Sequence, residues 1–353
     1  MLTMENADNN IIKIGYVPLL DCAPLIVAQE AGFFQKQGLD VDLVREHNWA
    51  SIRDKLSLGL IDAAHILAPM VIASAALTTK PFRTALSLGY NGNAITVSKA
   101  IYDHIQSDTL DASISKLGDY INTQSRPLVL GTVFPHSMHT YLLNLLLKNA
   151  GVSKEQVIIR VIPPVHMVNE MHDGKVDIFC VGEPWNSHAQ FENAGHILCY
   201  GNELWPYAPE KVLATHPGYA QKQADQYRRL SKAIIQACEW LEQPDHSAQT
   251  ALWMADEMYL NCSSDLLLQA ITNQWYSQTR PGNSRKIFFD QFANAPWPEH
   301  AQWLVNTMKT LEQIPQDANI QSIYDWETYL SVLKEMGLPT PGMADMPKGL
   351  PDL

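Results

Sequence analysis

The stretch Gly59-Leu-Ile-Asp62-Ala-Ala-His65-Ile-Leu-Ala68-Pro69 recurs about 115 residues later as Gly174-Lys-Val-Asp177-Ile-Phe-Cys180-Val-Gly-Glu183-Pro184. In both copies an aspartate follows the glycine by three positions and precedes the proline by seven. The residues between aspartate and proline form a short apolar run, which is typical of a buried strand. A glycine before such a run is typical of the end of a helix. The repeat therefore predicts two similar α/β units.

The two predicted strand ends suggest a cleft. Ligands of open α/β sheets bind outside the carboxyl ends of strands, so two such ends that face each other would enclose a site. Strands and helices alternate up to about residue 214, and the chain is mostly helical after it. We expect an α/β fold in which residues 11–97 and about 215–353 form lobe I with C-terminal helices, and residues 98–214 form lobe II. A chance likeness between two ordinary α/β units is the alternative reading.

Composition narrows the possible functions. The chain of 353 residues is 46% hydrophobic and 18% charged, as expected for a globular protein. Its net charge of −12 argues against direct binding to nucleic acid, which requires clustered positive charge. Five scattered cysteines with no Cys-x-x-Cys pair favour a reducing compartment. The first ten residues do not resemble a secretory signal and no run is long enough to cross a membrane, so we expect a cytoplasmic protein that does not contact membranes.

Seven short segments together carry a family resemblance. They are Gly15-Tyr-Val-Pro-Leu, Asn48-Trp49-Ala-Ser-Ile-Arg53-Asp-Lys-Leu, Asp62-Ala-Ala-His65-Ile-Leu-Ala-Pro69-Met, Asn91-Gly-Asn93-Ala-Ile, Ser137-Met-His139-Thr, Arg160-Val-Ile-Pro-Pro164 and Cys180-Val-Gly-Glu183-Pro-Trp185-Asn. These segments resemble nitrate-binding proteins, which are related to the bicarbonate-binding components of ABC transporters. The likeness runs from about Ile11 to Leu241. It implies a two-lobed periplasmic-binding-protein fold of type II.

The resemblance also implies a ligand set. In nitrate-binding members an oxyanion lies between the lobes, and the matching positions here are Trp49, Asn93, His139 and Lys211. Three further residues, Pro164, Val181 and Glu183, would line the wall of lobe II. The family usually has Gln where this chain has Asn93, and an amide one methylene shorter changes the fit of the anion. Bicarbonate-binding members carry an acid at the position of Lys211 and use it with a metal, so a lysine favours nitrate or nitrite.

The residue types at these positions suit nitrate. A planar, monovalent oxyanion needs a positive charge, a few directed donors and apolar walls. Lys211 can supply the charge, His139 lies near a helix start, and Trp49 offers an indole donor with a flat apolar face. We expect Glu183 to orient a donor such as Lys211, because a carboxylate facing the anion would repel it. Each of these side chains also has an ordinary structural interpretation.

Other chemistry is less well supported by the sequence. His65, His136 and His166 lack the spacing of metal ligands, and Asp62 and Asp177 read as structural turn residues. We therefore expect neither a metal nor a cofactor. Thiamine-pyrimidine synthases share the fold but carry a cysteine cluster that this sequence lacks, and no hydrolase or phosphate-loop motif is present, so we do not expect an enzyme.

Two roles remain for an anion-binding protein of this type. The first is a cytoplasmic nitrate or nitrite sensor that changes conformation on binding and regulates an RNA-binding antiterminator of nitrate-assimilation genes. The alternative is the substrate-binding component of a nitrate, bicarbonate or sulfonate ABC transporter. The acidic chain would suit a basic protein partner.

Overall fold

Two five-stranded mixed sheets form the framework of the computed structural model, which describes residues 11–272, 286–318, 320 and 323–353. The first sheet contains β1 (Ile12–Tyr16), β2 (Val41–Arg45), β3 (Ala63–Leu67), β4 (Arg83–Ser87) and β10 (Lys211–Thr215), in the order β2-β1-β3-β10-β4. The second contains β5 (Asn93–Ser98), β6 (Leu128–Thr132), β7 (Val157–Val161), β8 (Ile178–Gly182) and β9 (Gly195–Tyr200), in the order β7-β6-β8-β5-β9. We call the first sheet with its helices lobe I and the second with its helices lobe II.

Helices cover the faces of both sheets. In lobe I they are α1 (Ala23–Glu30), α2 (Phe33–Lys36), α3 (Trp49–Ser57) and α4 (Ala68–Leu77). In lobe II they are α5 (Lys99–Ile105), α6 (Leu110–Asn122), α7 (Met138–Asn149), α8 (Met167–His172), α9 (Trp185–Phe191) and α10 (Gly201–Leu204). The C-terminal part adds α11 (Tyr219–Lys222), α12 (Ala224–Leu241), α13 (Ser247–Ala255), α14 (Ser264–Thr272), α15 (Pro298–Thr310) and α16 (Trp326–Met336).

The sequence repeat corresponds to one structural unit used twice. The carboxylate of Asp62 accepts a hydrogen bond from the Lys13 amide of β1 at 2.9 Å, and that of Asp177 accepts one from the Val129 amide of β6 at 2.7 Å. In each lobe the strand after the aspartate runs parallel to that neighbour. The structural role expected for both aspartates is confirmed, because each fixes the start of the central strand.

Within the described residues, the backbone passes from one sheet to the other twice, and both times it enters the new sheet as an antiparallel strand. After β4 it crosses to β5, which pairs with β8 and β9, and after β9 it returns to β10, which pairs with β3 and β4. The expected boundaries at residues 97/98 and 214/215 therefore each fall one strand late. A short apolar run reads the same in either sheet, and only the strands that it pairs with show which sheet it belongs to.

Of the C-terminal helices, α12, α13 and α16 pack on lobe I, whereas α14 also contacts α9 of lobe II. One face of α12 is buried against α1, and its buried residues include Tyr227, Leu230, Ile234 and Cys238. The region 99–122 forms α5 and α6, which the sequence analysis did not anticipate. No helix in the described part of the chain is both long and apolar enough to cross a membrane.

Candidate functional site

Lys211 lies at the centre of a buried cluster where the two sheets meet. It is the first residue of β10 and has no exposed surface. Its ammonium Nζ is 2.6 Å from Oδ2 of Asp21, 2.8 Å from Oε2 of Glu210 and 3.3 Å from Oδ1 of Asn93. Burial alone would lower the pKa of Lys211, but the charges of Asp21 and Glu210 outweigh it and hold the pKa above its usual range. The lysine is therefore charged, and these three acceptors match its three N–H bonds in number.

Asp21 joins this lysine to a histidine. It lies in the 3-10 turn Leu20–Cys22, just after β1, and its Oδ1 is 2.8 Å from Nε2 of His65. Burial would raise the pKa of Asp21, but Lys211 and His65 outweigh it and lower the pKa well below the usual range. Burial likewise lowers the pKa of His65, against the pull of Asp21. A neutral His65 must donate from Nε2 to the carboxylate, which leaves Nδ1 as an acceptor.

Trp49 and His139 supply polar atoms that the protein itself does not satisfy. Trp49 opens α3 after its cap Asn48, whose side chain accepts from the Ser51 amide at 2.9 Å, and it is 1% exposed. His139 lies in the first turn of α7 and has no exposed surface. Among the described residues, neither Nε1 of Trp49 nor either ring nitrogen of His139 has a hydrogen-bond partner.

These unsatisfied atoms adjoin the lysine cluster. The ring centroids of Trp49 and His65 are 5.4 Å apart, and His139 is close enough to Lys211 and Asp21 to feel their charges. Burial, assisted by the charge of Lys211, holds the pKa of His139 well below its usual range, so its imidazole is neutral. A buried polar group without a partner costs about 1–3 kcal/mol. Such groups at one place indicate a ligand that would satisfy them.

Asn93 and Glu210 connect the two lobes directly. Asn93 is the first residue of β5, just as Lys211 is the first residue of β10, so the two crossing strands begin face to face. The Asn93 amide donates through Nδ2 to Oε1 of Glu210 and accepts from Lys211 through Oδ1. Burial raises the pKa of Glu210, and the neighbouring Lys211 ammonium opposes that rise.

The expectation that Glu183 orients Lys211 is wrong. Its Oε2 accepts from the Ser187 amide of α9 at 3.0 Å, and its Oε1 is 3.5 Å from the Tyr200 hydroxyl. Asp21 and Glu210 take the place expected for it, because the end of β8 turns this side chain toward its own lobe. The Glu183 backbone still touches lobe I, since its carbonyl accepts from the Leu20 amide at 2.7 Å.

The other two predicted wall residues, Pro164 and Val181, lie in lobe II, and within the described residues neither forms a hydrogen bond with the cluster. Pro164 opens a 3-10 turn after β7, and Val181 pairs with Ala94 inside the sheet. The neighbour of Val181 is closer to the site. A Cβ atom on Gly182 would lie 3.4 Å from Oδ2 of Asp21 and 3.5 Å from Oδ1 of Asn93, so the end of β8 borders the cluster.

Sequence analysis therefore missed three members of the cluster, Asp21, His65 and Glu210. His65 lies inside β3, Glu210 directly precedes β10, and Asp21 follows β1 by five residues. No sequence pattern links Asp21 to a lysine that follows it by 190 positions. His65 was set aside because its spacing does not suit a metal. Within the described ranges, no three histidine, cysteine or acidic side chains are arranged to hold a metal ion.

The cluster combines charge with neutral donors. Lys211 is matched by two carboxylates, whereas the donors without protein partners belong to the uncharged indole and imidazole. Such a site can bind a small anion through N–H groups while the fixed charges set the local potential. Cys180 and Cys199 are buried in β8 and β9, as expected.

Comparison with known proteins identifies similar chains. A profile of the NMT1-like family matches residues 5–255. The nitrate/nitrite binding protein NrtA of Nostoc sp. is 30% identical over 325 residues, which cover 88% of this chain and 73% of that one. The bicarbonate transport ATP-binding protein CmpC of Synechococcus elongatus is 36% identical over 266 residues, which cover 72% of this chain but only 39% of CmpC. The chain thus spans less than half of the ATP-binding relatives it matches.

A solved structure shares the fold. The periplasmic nitrate-binding protein NrtA from Synechocystis superposes with a TM-score of 0.84 at 22% identity, covering 96% of this chain and 91% of that one. The periplasmic aliphatic sulphonate binding protein SsuA from Escherichia coli superposes with a TM-score of 0.64 at 15% identity, covering 90% and 98%. The expected two-lobed binding-protein fold is confirmed.

Proposed function

The chain belongs to the NMT1-like family, and we propose that it binds a small planar oxyanion, nitrate or nitrite, where its two lobes meet. One observation carries the proposal: the buried N–H group of Trp49 and the ring of His139, both without protein partners, adjoin the Lys211 cluster. The names of the NrtA relatives, which are nitrate-binding proteins, support the same ligand. The binding role itself requires no enzymatic step.

The ligand contacts differ from those inferred from residue types alone. Lys211 acts through its charge and by positioning Asn93, because protein acceptors already surround its ammonium. Trp49 donates directly to the anion, and His139 donates from one ring nitrogen. A neutral imidazole has one donor and one acceptor, so the other nitrogen must face a donor. Nitrate and nitrite can only accept hydrogen bonds, whereas bicarbonate can also donate one. The affinities of the three ions must therefore be compared.

Calorimetric titration with nitrate, nitrite, bicarbonate and an aliphatic sulfonate tests the ligand assignment. Nitrate or nitrite should bind with a stoichiometry of one. Trp49→Phe keeps an aromatic ring but removes the N–H donor, and a hydrogen bond to an anion is worth about 1.5–3 kcal/mol, so affinity should fall about 10- to 150-fold.

Trp185→Phe is the matched control. The Trp185 Nε1 also lacks a partner among the described residues, but this indole lines a separate cavity of about 510 Å³ beside α9. Its replacement should leave nitrate affinity unchanged. Equal affinity of wild type and Trp49→Phe would remove the indole from the site, and heat for the sulfonate alone would refute the nitrate assignment.

For the cellular role we propose a cytoplasmic sensor of nitrate or nitrite. Binding would favour the arrangement in which the lobes touch, for example through the Leu20 amide and the Glu183 carbonyl, and so shift the population of conformations. The surface offered to an RNA-binding antiterminator would then change, and reciprocal coupling would release it. The net charge of −12 supports a basic partner.

The sensor role is tested by mixing the protein with its candidate antiterminator, with and without nitrate, and measuring complex formation by size-exclusion chromatography. Nitrate should dissociate the complex, and Trp49→Phe should require correspondingly more nitrate. A complex that is indifferent to nitrate would exclude this role. The alternative, a transporter binding component, would be favoured if the native gene encodes a longer N-terminus that is cleaved on export.

A further inference from the structure

The charges immediately around the anion site do not favour an anion. Two carboxylates, Asp21 and Glu210, share the single ammonium of Lys211. Trp49 is uncharged, and the buried His139 is neutral. An oxyanion placed beside this group would meet an excess of negative charge in a region where water does not screen it. A second cation near this group would offset the second carboxylate and oppose the rise that burial causes in the pKa of Glu210.

Lys286 is a buried lysine close to this cluster. It is 6% exposed, and among the described residues its Nζ donates one hydrogen bond, to the carbonyl of Asn91 at 3.3 Å. It lies against the segment that links β4 to β5, because a Cβ atom on Gly92 would be 3.0 Å from its Cδ and one on Gly89 would be 3.3 Å from its Nζ. Burial lowers the pKa of Lys286, and the charges of Asp21 and Glu210 oppose that fall. Lys286 also lies beyond residues 5–255, which the family profile matches.

The backbone next to Lys286 is attached to the crossing segment. Ile287 and Tyr90 exchange two hydrogen bonds, of 2.8 and 3.1 Å, and Tyr90 also pairs with Pro209 of the returning segment. The carboxylate of Glu242 accepts from the amides of Phe288 and Phe289 at 2.8 Å. The C-terminal part thus holds Lys286 at the place where the chain passes between the lobes.

We propose that Lys286 is the second cation of the anion site, a positioning residue that offsets the carboxylate left unmatched by Lys211. The inference rests on the proposed oxyanion-binding function. By this inference, the C-terminal segment contributes to ligand affinity as well as covering lobe I. The two neighbouring glycines leave room for this segment, since a Cβ atom at Gly89 would clash with the Ile287 carbonyl oxygen and one at Gly92 would lie 3.0 Å from the Lys286 Cδ.

Two substitutions separate the charge of Lys286 from its hydrogen bond. Lys286→Gln removes the charge but keeps an N–H donor for the Asn91 carbonyl, whereas Lys286→Met removes both. Both variants should bind nitrate about ten-fold more weakly than wild type, since the loss is electrostatic. The exposed Lys334, also in the C-terminal part, serves as control, and Lys334→Met should bind as wild type does. Wild-type affinity in Lys286→Gln would overturn the proposal.

A second readout does not need the ligand. Burial lowers the pKa of His65, Asp21 raises it, and the charges of Lys211 and Lys286 lower it further. The titration midpoint of His65, followed by NMR, should therefore be higher in Lys286→Gln than in wild type, and an equal midpoint would refute the electrostatic role. If wild type binds no oxyanion, the proposed function fails, and the His65 midpoint still decides whether Lys286 acts on the cluster.

Discussion

Replacing Lys211 by methionine should destabilise the protein by an amount that depends on pH. The substitution leaves Asp21 and Glu210 buried, 3% and 1% exposed, without their common counter-ion. Breaking a buried ion pair by removing one partner costs about 3–5 kcal/mol. We expect that loss in the free energy of unfolding at pH 8, where both carboxylates would have to stay ionised.

The sign of the pH effect follows from the pKa of Asp21. In the wild type this pKa lies below its unfolded value, so the carboxylate contributes stability above about pH 4, and that contribution is lost as the pH falls. Without Lys211, burial dominates and raises the pKa of Asp21 and of Glu210, so folding is opposed as the pH rises. The deficit of Lys211→Met should therefore be about 1–2 kcal/mol smaller at pH 5 than at pH 8.

Urea unfolding at the two pH values measures this difference. The control is Lys99→Met, which breaks the exposed pair of Lys99 and Asp103, whose Nζ and Oδ2 atoms are 2.8 Å apart, and it should not shift the midpoint measurably. The double variant Asp21→Asn/Lys211→Met should recover part of the loss at pH 8. A deficit that is the same at both pH values, or no deficit at all, would refute the account of a buried charge cluster.

Two further predictions concern neighbouring side chains. Burial raises the pKa of Glu183 to about 7, so the stability that this group contributes is fully present below about pH 4.5 and is lost as the pH rises through 7. Glu183→Gln can still accept the hydrogen bond from the Ser187 amide, and its free energy of unfolding in urea should differ less between pH 5 and pH 8 than that of wild type. An equal difference in the two proteins would contradict this. Asn93→Gln inserts a methylene into a side chain that is 1% exposed and hydrogen-bonded to both Glu210 and Lys211. It should lower the free energy of unfolding in urea by about 1–3 kcal/mol and weaken nitrate binding. A fully stable variant would show that the site has room for the longer glutamine side chain.

Local patterns predicted the architecture well. The Gly-Asp-Pro repeat reports a recurring structural unit, because a positive-φ glycine ends a helix and the aspartate fixes the next strand, and both effects act over a few residues. The boundaries between the lobes were harder to predict from the sequence. The strands β5 and β10 are apolar runs like any other, and only their antiparallel pairing places each in the sheet that the chain has just entered.

Some residues of the site could also be predicted from local sequence patterns, and others could not. Trp49, His139, Asn93 and Lys211 were predicted from motifs. The structure brings Lys211 into contact with Asn93, and His139 lies close enough to Lys211 and Asp21 for their charges to affect its pKa. The carboxylates that hold Lys211 were not predicted, since Asp21 is remote in sequence and a Glu-Lys pair such as Glu210-Lys211 usually lies on a solvated surface. The role assigned to Glu183 failed because sequence does not specify which way a side chain turns at the end of a strand.

A crystal structure of the protein grown with nitrate is the most direct test of the binding site. The account predicts one planar anion at the junction of the lobes, with an oxygen within hydrogen-bond distance of Trp49 Nε1 and another at a ring nitrogen of His139, while Lys211 keeps its contacts with Asp21 and Glu210. Stoichiometric nitrate bound anywhere else, or both of these side chains turned away from the anion, would contradict it.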